Sequence, residues 1–163
     1  ESCFRLGIVV PSILLTMGST DAFAVDDLRT VHAVRERVCK AFGVKVMPHI
    51  HVDAAVGWAA LFMNDYDCAS NPLGMSPAAV EHIRLLQERF KHLHLADSFS
   101  ADFHKLGFCP YPSSLFVARD KMTLNALRQD AHLFTYFNAP SHGHELYRIT
   151  VECSRGGVGV FSA

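Results

Sequence analysis

Neither sign of charge dominates this 163-residue sequence, no apolar run in it is long enough to span a bilayer, and its cysteines include no Cys-x-x-Cys pair. Its 15 basic and 16 acidic residues are spread along the chain and nearly cancel. Without a basic stripe there is no electrostatic footprint for nucleic acid or an anionic membrane, so neither is expected as a partner. The most apolar stretch, residues 6–17, is interrupted by Gly7, Pro11, Ser12 and Thr16. It falls short of the ~20 residues a spanning helix requires, and it lacks the basic start and small-residue cleavage site of a secretory signal. Five cysteines, Cys3, Cys39, Cys68, Cys109 and Cys153, are odd in number and far apart. They read as reduced thiols, which places the expected location in the cytoplasm. Internal repeats and low-complexity tracts are also lacking.

What is present suits one domain with one core: half of the residues are apolar. Histidine is plentiful, with ten residues that include the His-x-His pairs His49/His51, His92/His94 and His142/His144. On a strand each pair would face one way. A transition-metal site needs three or four convergent ligands, and no Cys or Glu spacing completes one here. The expectation is therefore no metal, with the histidines at the surface or supporting other groups.

In chain order, residues 7–16 are rich in Ile, Val and Leu and run into Gly18-Ser19-Thr20-Asp21. They read as a buried strand entering a polar turn. Leu28, Val31, Val34, Val38 and Phe42 then recur at helical spacing behind the acidic Asp26-Asp27, with Gly43 as the stop. Residues 44–54 look like the next, parallel strand, which completes a βαβ unit. Residues 57–77 are rich in turn formers and read as a long irregular loop. Pro77 opens a second helix carrying Val80, Ile83, Leu86, Phe90 and Leu93. Residues 95–101 would be a third strand. Residues 113–119 would be a fourth, returning antiparallel because no crossover helix fits between them. A short helix over 122–134 and a strand over 147–153 close the chain. The fold class is α/β.

Two stretches carry chemistry. His51-Val52-Asp53-Ala54-Ala55 sets one acid in an apolar segment, with His51, Asp53 and Ala55 on one strand face. Ala96-Asp97-Ser98-Phe99-Ser100-Ala101-Asp102-Phe103-His104-Lys105 ends a strand in a His-Lys pair beside a Gly/Pro-rich loop. A lysine so placed can attack a carbonyl group and form a Schiff base. A buried acid needs a cationic partner. Taken alone, Asp53 also reads as a salt-bridged core acid and Lys105 as an ordinary lysine at a strand end.

In this order the two stretches resemble the group II pyridoxal-phosphate decarboxylases, the family of the aromatic amino acid, glutamate and tyrosine decarboxylases. Thr16-Met17-Gly18-Ser19-Thr20 with Asp26 is similar to the family's Gly-Thr-Thr turn, and Ser154-Arg155-Gly156 to its Ser-Arg-Gly loop. The resemblance runs over residues 8–159. It implies part of a large domain of fold type I, with a mostly parallel sheet and one antiparallel strand. Residues 1–163 would be a partial cofactor-binding domain, with the phosphate-binding segment upstream and the small C-terminal domain outside it. The expected partners are an amino acid substrate, the remainder of the same polypeptide or a complementary fragment, and a second copy in a homodimer.

The resemblance also implies roles. Lys105 would hold pyridoxal phosphate, and Asp53 would keep the ring nitrogen protonated so that the ring acts as an electron sink. His104 would contact the phosphate region with Ser100 nearby, and Thr20 would lie near the ring. Ala55 would let the ring lie flat, and Ser154 and Gly156 would belong to a loop reaching the phosphate. Asp102 stands where the family often has Asn or Thr. Gly57-Trp58 and Phe108-Cys109-Pro110-Tyr111 depart from the commoner members at places where substrate choice is made. The implied activity is decarboxylation of an L-amino acid to an amine and carbon dioxide. Another fold type I reaction (lyase, desulfurase or oxidative deaminase) would share Lys105 and Asp53. A non-catalytic metal-binding α/β module on the His-x-His pairs is the remaining alternative.

Overall fold

The computed structural model describes residues 1–127. Strands β1 (Ser12–Thr16), β2 (His49–Asp53), β3 (Ser98–Asp102) and β4 (Ser114–Ala118) form one sheet in that order. β1, β2 and β3 are parallel, and β4 returns antiparallel beside β3, as the short β3–β4 connection requires. After the short helix α1 (Ser2–Arg5), helices α2 (Leu28–Ala41) and α3 (Pro77–Phe90) make the two crossovers. Among the described residues no helix is long and apolar enough to cross a membrane.

Both long helices begin on side-chain caps. Asp27 accepts the Thr30 N–H at 3.1 Å and Ser76 accepts the Ala79 N–H at 3.3 Å, with Pro77 in the first turn where its missing N–H costs nothing. α2 ends at Phe42, and the chain turns away through Gly43 at φ +63°. The strands start later than their hydrophobicity suggests. β1 begins only after Pro11 and β2 only after Pro48, since proline cannot donate to the ladder. Leu6, Ile8, Val9 and Val46 are left exposed before them. β3 is displaced toward Asp102 because Leu93–Leu95 forms a 3₁₀ turn. The loop expected over 57–77 opens with a 3₁₀ helix, Gly57–Met63, and another spans Lys121–Leu127. The rest of the helix expected over 122–134 and the strand expected over 147–153 lie outside the described residues.

The two faces of the sheet differ sharply. Leu15, Ile50 and Val52 point to one side, where Leu28 of α2 and Phe90 of α3 close the core together with Met17, Ala54 and Ala96. The register pairs Thr16 with Asp53, Asp53 with Ser100, Ser100 with Phe116 and Asp102 with Ser114, so these side chains share the other face. That face is open: Leu14 and Phe116 are 68% and 52% exposed. β1 is thus half-exposed rather than buried, because among the described residues it lies at the sheet edge with only one face covered.

A partly buried ion pair ties the layers together. Arg35 of α2 is 6% exposed and donates to the Pro48 carbonyl at 3.1 Å and to Asp97 Oδ2 at 2.5 Å. Asp97 Oδ2 also accepts the Ile50 N–H at 2.8 Å. Burial opposes the Asp97 charge, but the Ile50 N–H and the Arg35 guanidinium outweigh it and hold the carboxyl below its ordinary range.

Candidate active site

The carboxyl ends of β1, β2 and β3 fall at Thr16, Asp53 and Asp102, and the loops that follow gather at one edge of the sheet. Open α/β sheets bind their ligands at this edge. The β1 and β2 loops touch backbone to backbone: a Cβ on Gly57 would sit 1.9 Å from the Met17 carbonyl oxygen. Gly18, at φ +93°, occupies a conformation that favours glycine, and a Cβ there would lie 2.6 Å from Gly57 Cα. Only glycine permits this approach, which brings the turn carrying Thr20 against the segment that follows Ala55.

Lys105 lies in the turn after β3. Its Nζ is 2.9 Å from Asp102 Oδ2, and the Ser114 hydroxyl donates to Asp102 Oδ1 at 2.6 Å from across the hairpin. His104 Nε2 stands 3.7 Å from the same Asp102 Oδ2. The Ser113 N–H donates to His104 Nδ1 at 3.1 Å, which goes with a proton on Nε2 facing Asp102. In the other tautomer Nδ1 donates to the Ser113 carbonyl at 2.9 Å. Tyr111 packs on the His104 ring with centroids 3.8 Å apart. Trp58, from the β2 loop, donates to the Asp102 carbonyl at 2.9 Å and meets Phe103 edge-on at 4.8 Å. The lysine turn is therefore held against the loop that follows Asp53.

Electrostatics follow from these contacts. The hydrogen bond to Asp102 raises the Lys105 pKa above the ordinary lysine value, against a smaller cost of burial, and the charges of Asp102, Asp53 and Tyr111 act in the same direction. Burial opposes ionisation of Asp102, yet Ser114, Lys105 and His104 together hold its carboxyl below the usual range.

On the same face, Ser98 Oγ lies 2.7 Å from His49 Nε2 and 2.8 Å from His51 Nδ1, and Ser100 Oγ lies 3.4 Å from His51 Nε2. His51 stacks on Phe116 with centroids 5.7 Å apart and planes 19° apart. Burial lowers its pKa, and the raising effect of Asp53 does not overcome it. Asp53 is not the buried acid expected: it is exposed, because no helix among the described residues covers this face of β2. Its Oδ1 accepts the Ala55 N–H at 3.0 Å, just past the strand end.

Lys105, His104, Asp53, Ala55 and Ser100 are thus gathered on or beside one sheet face. Thr20 lies exposed in the adjoining β1 turn, and no hydrogen bond among the described residues ties it to the lysine. Ser154, Arg155 and Gly156 fall outside the described residues. Sequence reasoning missed Ser98, Ser114 and Trp58. Ser114 follows only from the hairpin register, whereas Ser98 stands in the Ala-Asp-Ser motif itself. Among the described residues no group of three or more His, Cys, Asp or Glu side chains is placed to hold a metal ion. His49 and His51 share a serine, and His92 precedes the 3₁₀ turn that contains His94, with rings 6.2 Å apart.

No family model matches the sequence. The L-tyrosine decarboxylase of Enterococcus faecalis is 30% identical over 125 residues, covering 69% of this chain and 20% of that protein. The chain therefore spans about a fifth of the length of that curated relative. In three dimensions it is similar to the crystal structure of mouse CSAD in apo form, with a TM-score of 0.55, 20% identity, and coverage of 94% of this chain and 26% of that one. At that identity the likeness speaks for the fold, here a mostly parallel α/β sheet with one antiparallel pair. From the ordered motifs, the curated relative and the shared fold together, the chain belongs to the group II pyridoxal-phosphate-dependent amino acid decarboxylase family.

Proposed function

We propose that this chain forms part of the cofactor-binding large domain of a decarboxylase that converts an L-amino acid to its amine and carbon dioxide. The phosphate-binding segment and the small C-terminal domain would be supplied by the rest of the polypeptide. The observation that carries the reading is the position of Lys105 Nζ, at the carboxyl-end edge of the sheet and within the field of Asp53 on the neighbouring strand. An acid at the end of β2 and an amine in the turn that follows the adjacent β3, with the small Ala55 two residues past the acid, suit pyridoxal phosphate. When bound, that group supplies an aldehyde for an amine and a protonated ring that withdraws electrons from the substrate's α-carbon.

The chain's residues would divide the work. Asp53, fixed through Oδ1 by the Ala55 N–H, has a second oxygen with which to hold a proton on a ring nitrogen. His51 would stay uncharged beside it, its pKa being lowered by burial, so the negative charge of Asp53 is not cancelled. Lys105 would anchor the aldehyde and receive it back after turnover. His104, fixed by Ser113 and Tyr111, would stiffen the turn that carries the amine, and Thr20 and Ser100 would border the ring. Ser154 and Gly156 are proposed for the phosphate loop on the resemblance alone. The homodimer and the cytoplasmic location belong to the same proposal.

Product analysis on the full-length protein tests the reaction. With pyridoxal phosphate and a panel of acidic, aromatic and basic L-amino acids, amine and carbon dioxide should appear in equal amounts. Ammonia with oxygen consumption, or sulfide without carbon dioxide, would assign a different reaction to the same residues.

A further inference from the structure

Asp102 has no place in the roles above, and its charge would repel a phosphate. Its own contacts point elsewhere. One carboxylate oxygen is anchored by the Ser114 hydroxyl at 2.6 Å and the other is 2.9 Å from Lys105 Nζ. The backbone carbonyl of the same residue is held by the Trp58 indole at 2.9 Å. Asp102 is thus fixed from β4 and from the β2 loop at once, while its side chain reaches the amine three residues on. We propose that Asp102 is the positioning residue of Lys105: anchored by Ser114, its carboxylate pins Nζ as an ammonium at the rim of the polar sheet face and restrains the amine from attack until the proton is given up. The proposal rests on Lys105 being the reactive amine.

The charged groups around Nζ support this assignment. Among the described residues Asp102 is the one in direct contact, and Asp53 on β2 and Tyr111 on the lysine loop act on the amine only through their charge. His104 Nε2, 3.7 Å from Asp102 Oδ2, is placed to take over the carboxylate when the amine departs. Capture of an aldehyde forms a carbon–nitrogen double bond and expels water, and it requires the neutral amine; the ammonium proton must first pass to solvent. A carboxylate that favours the ammonium therefore slows capture at neutral pH.

The test reads Lys105 directly and needs no turnover. The full-length, cofactor-free protein is labelled with a trace of an acylating N-hydroxysuccinimide ester across a range of alkaline pH, and peptides are quantified by mass spectrometry. The exposed Lys40 and Lys45 serve as internal references. Asp102→Asn keeps the shape and an acceptor for Ser114 but removes the charge. It should move the Lys105 labelling midpoint to lower pH, with about a tenfold gain in labelling rate below the midpoint for each unit moved, while the references stay put. Ser114→Ala, which leaves the carboxylate but removes its anchor, should move the midpoint the same way by less and serves if Asp102→Asn does not fold. Midpoints unchanged from wild type in the folded variants would overturn the proposal. That failure is distinct from failure of the proposed function, which appears as a cofactor label on a residue other than Lys105.

Discussion

On the proposed role, replacing Lys105 with alanine should lower turnover by about a thousandfold or more, because it would remove the covalent anchor for the aldehyde. Lys105→Arg separates that loss from damage to the fold. The guanidinium keeps a positive charge for Asp102, whose other oxygen remains bound to Ser114, so the hairpin retains its ion pair. It has no amine to offer an aldehyde. Turnover should fall to a similar extent in both variants while the melting temperature of Lys105→Arg stays near wild type, as followed by circular dichroism. Turnover within a few-fold of wild type in Lys105→Arg would exclude the lysine from the chemistry.

The largest effect on stability is expected at a residue far from that chemistry. Arg35→Ala leaves the Pro48 carbonyl without its donor and Asp97 without its counter-charge, at the junction of α2, β2 and β3. Breaking a fully buried pair from one side costs about 3–5 kcal/mol; with the Asp97 side chain 26% exposed the lower end applies, which for a domain of this size corresponds to a fall of roughly 10 °C in melting temperature. The pH dependence has a definite sign. Because the folded Asp97 carboxyl lies below its ordinary value, its contribution is fully present above about pH 4 and is lost as pH falls through the lowered folded value. Acid titration of stability should therefore be shallower in Arg35→Ala than in wild type. Equal stability of the two proteins at neutral pH would show that the pair contributes nothing.

Arg35 also illustrates what the amino-acid pattern conceals. The apolar spacing Leu28, Val31, Val34, Val38 is enough to place a helix, and Asp27, Gly43 and the Ser76-Pro77 pair are enough to bound both crossovers. Within α2, however, the inward position is taken by Arg35 rather than Val34, which is 42% exposed. A stripe through residues 28, 31, 35 and 38 is the better helical face, but it demands a buried arginine, and that becomes reasonable only once Asp97 is known to meet it. The strand starts are hidden for a related reason. Val46, Ile8 and Val9 are apolar and β-branched, yet they precede prolines and find no core.

The site was legible in its residues more than in its environment. Strand alternation places His51 and Asp53 on one face and the helical core on the other, but it cannot say whether the first face is covered. Asp53 is consequently exposed where a buried acid was expected. The ion pair between Asp102 and Lys105 depends on the tightness of the turn that follows β3, and the part played by Ser114 depends on the exact register of the hairpin. Neither is encoded in any single short motif. Trp58, by contrast, stands in the sequence as a lone tryptophan at a departure from the family pattern. Its role in holding the lysine turn through the Asp102 carbonyl accounts for a residue that the resemblance left without one.

Borohydride reduction of the full-length, pyridoxal-phosphate-loaded protein, followed by peptide mapping, tests the central claim most directly. The pyridoxyl group should be found on Lys105, in the peptide that carries His104, and should disappear in Lys105→Arg. A label on Lys91 or Lys121, or no label in a protein that binds the cofactor, would contradict the account.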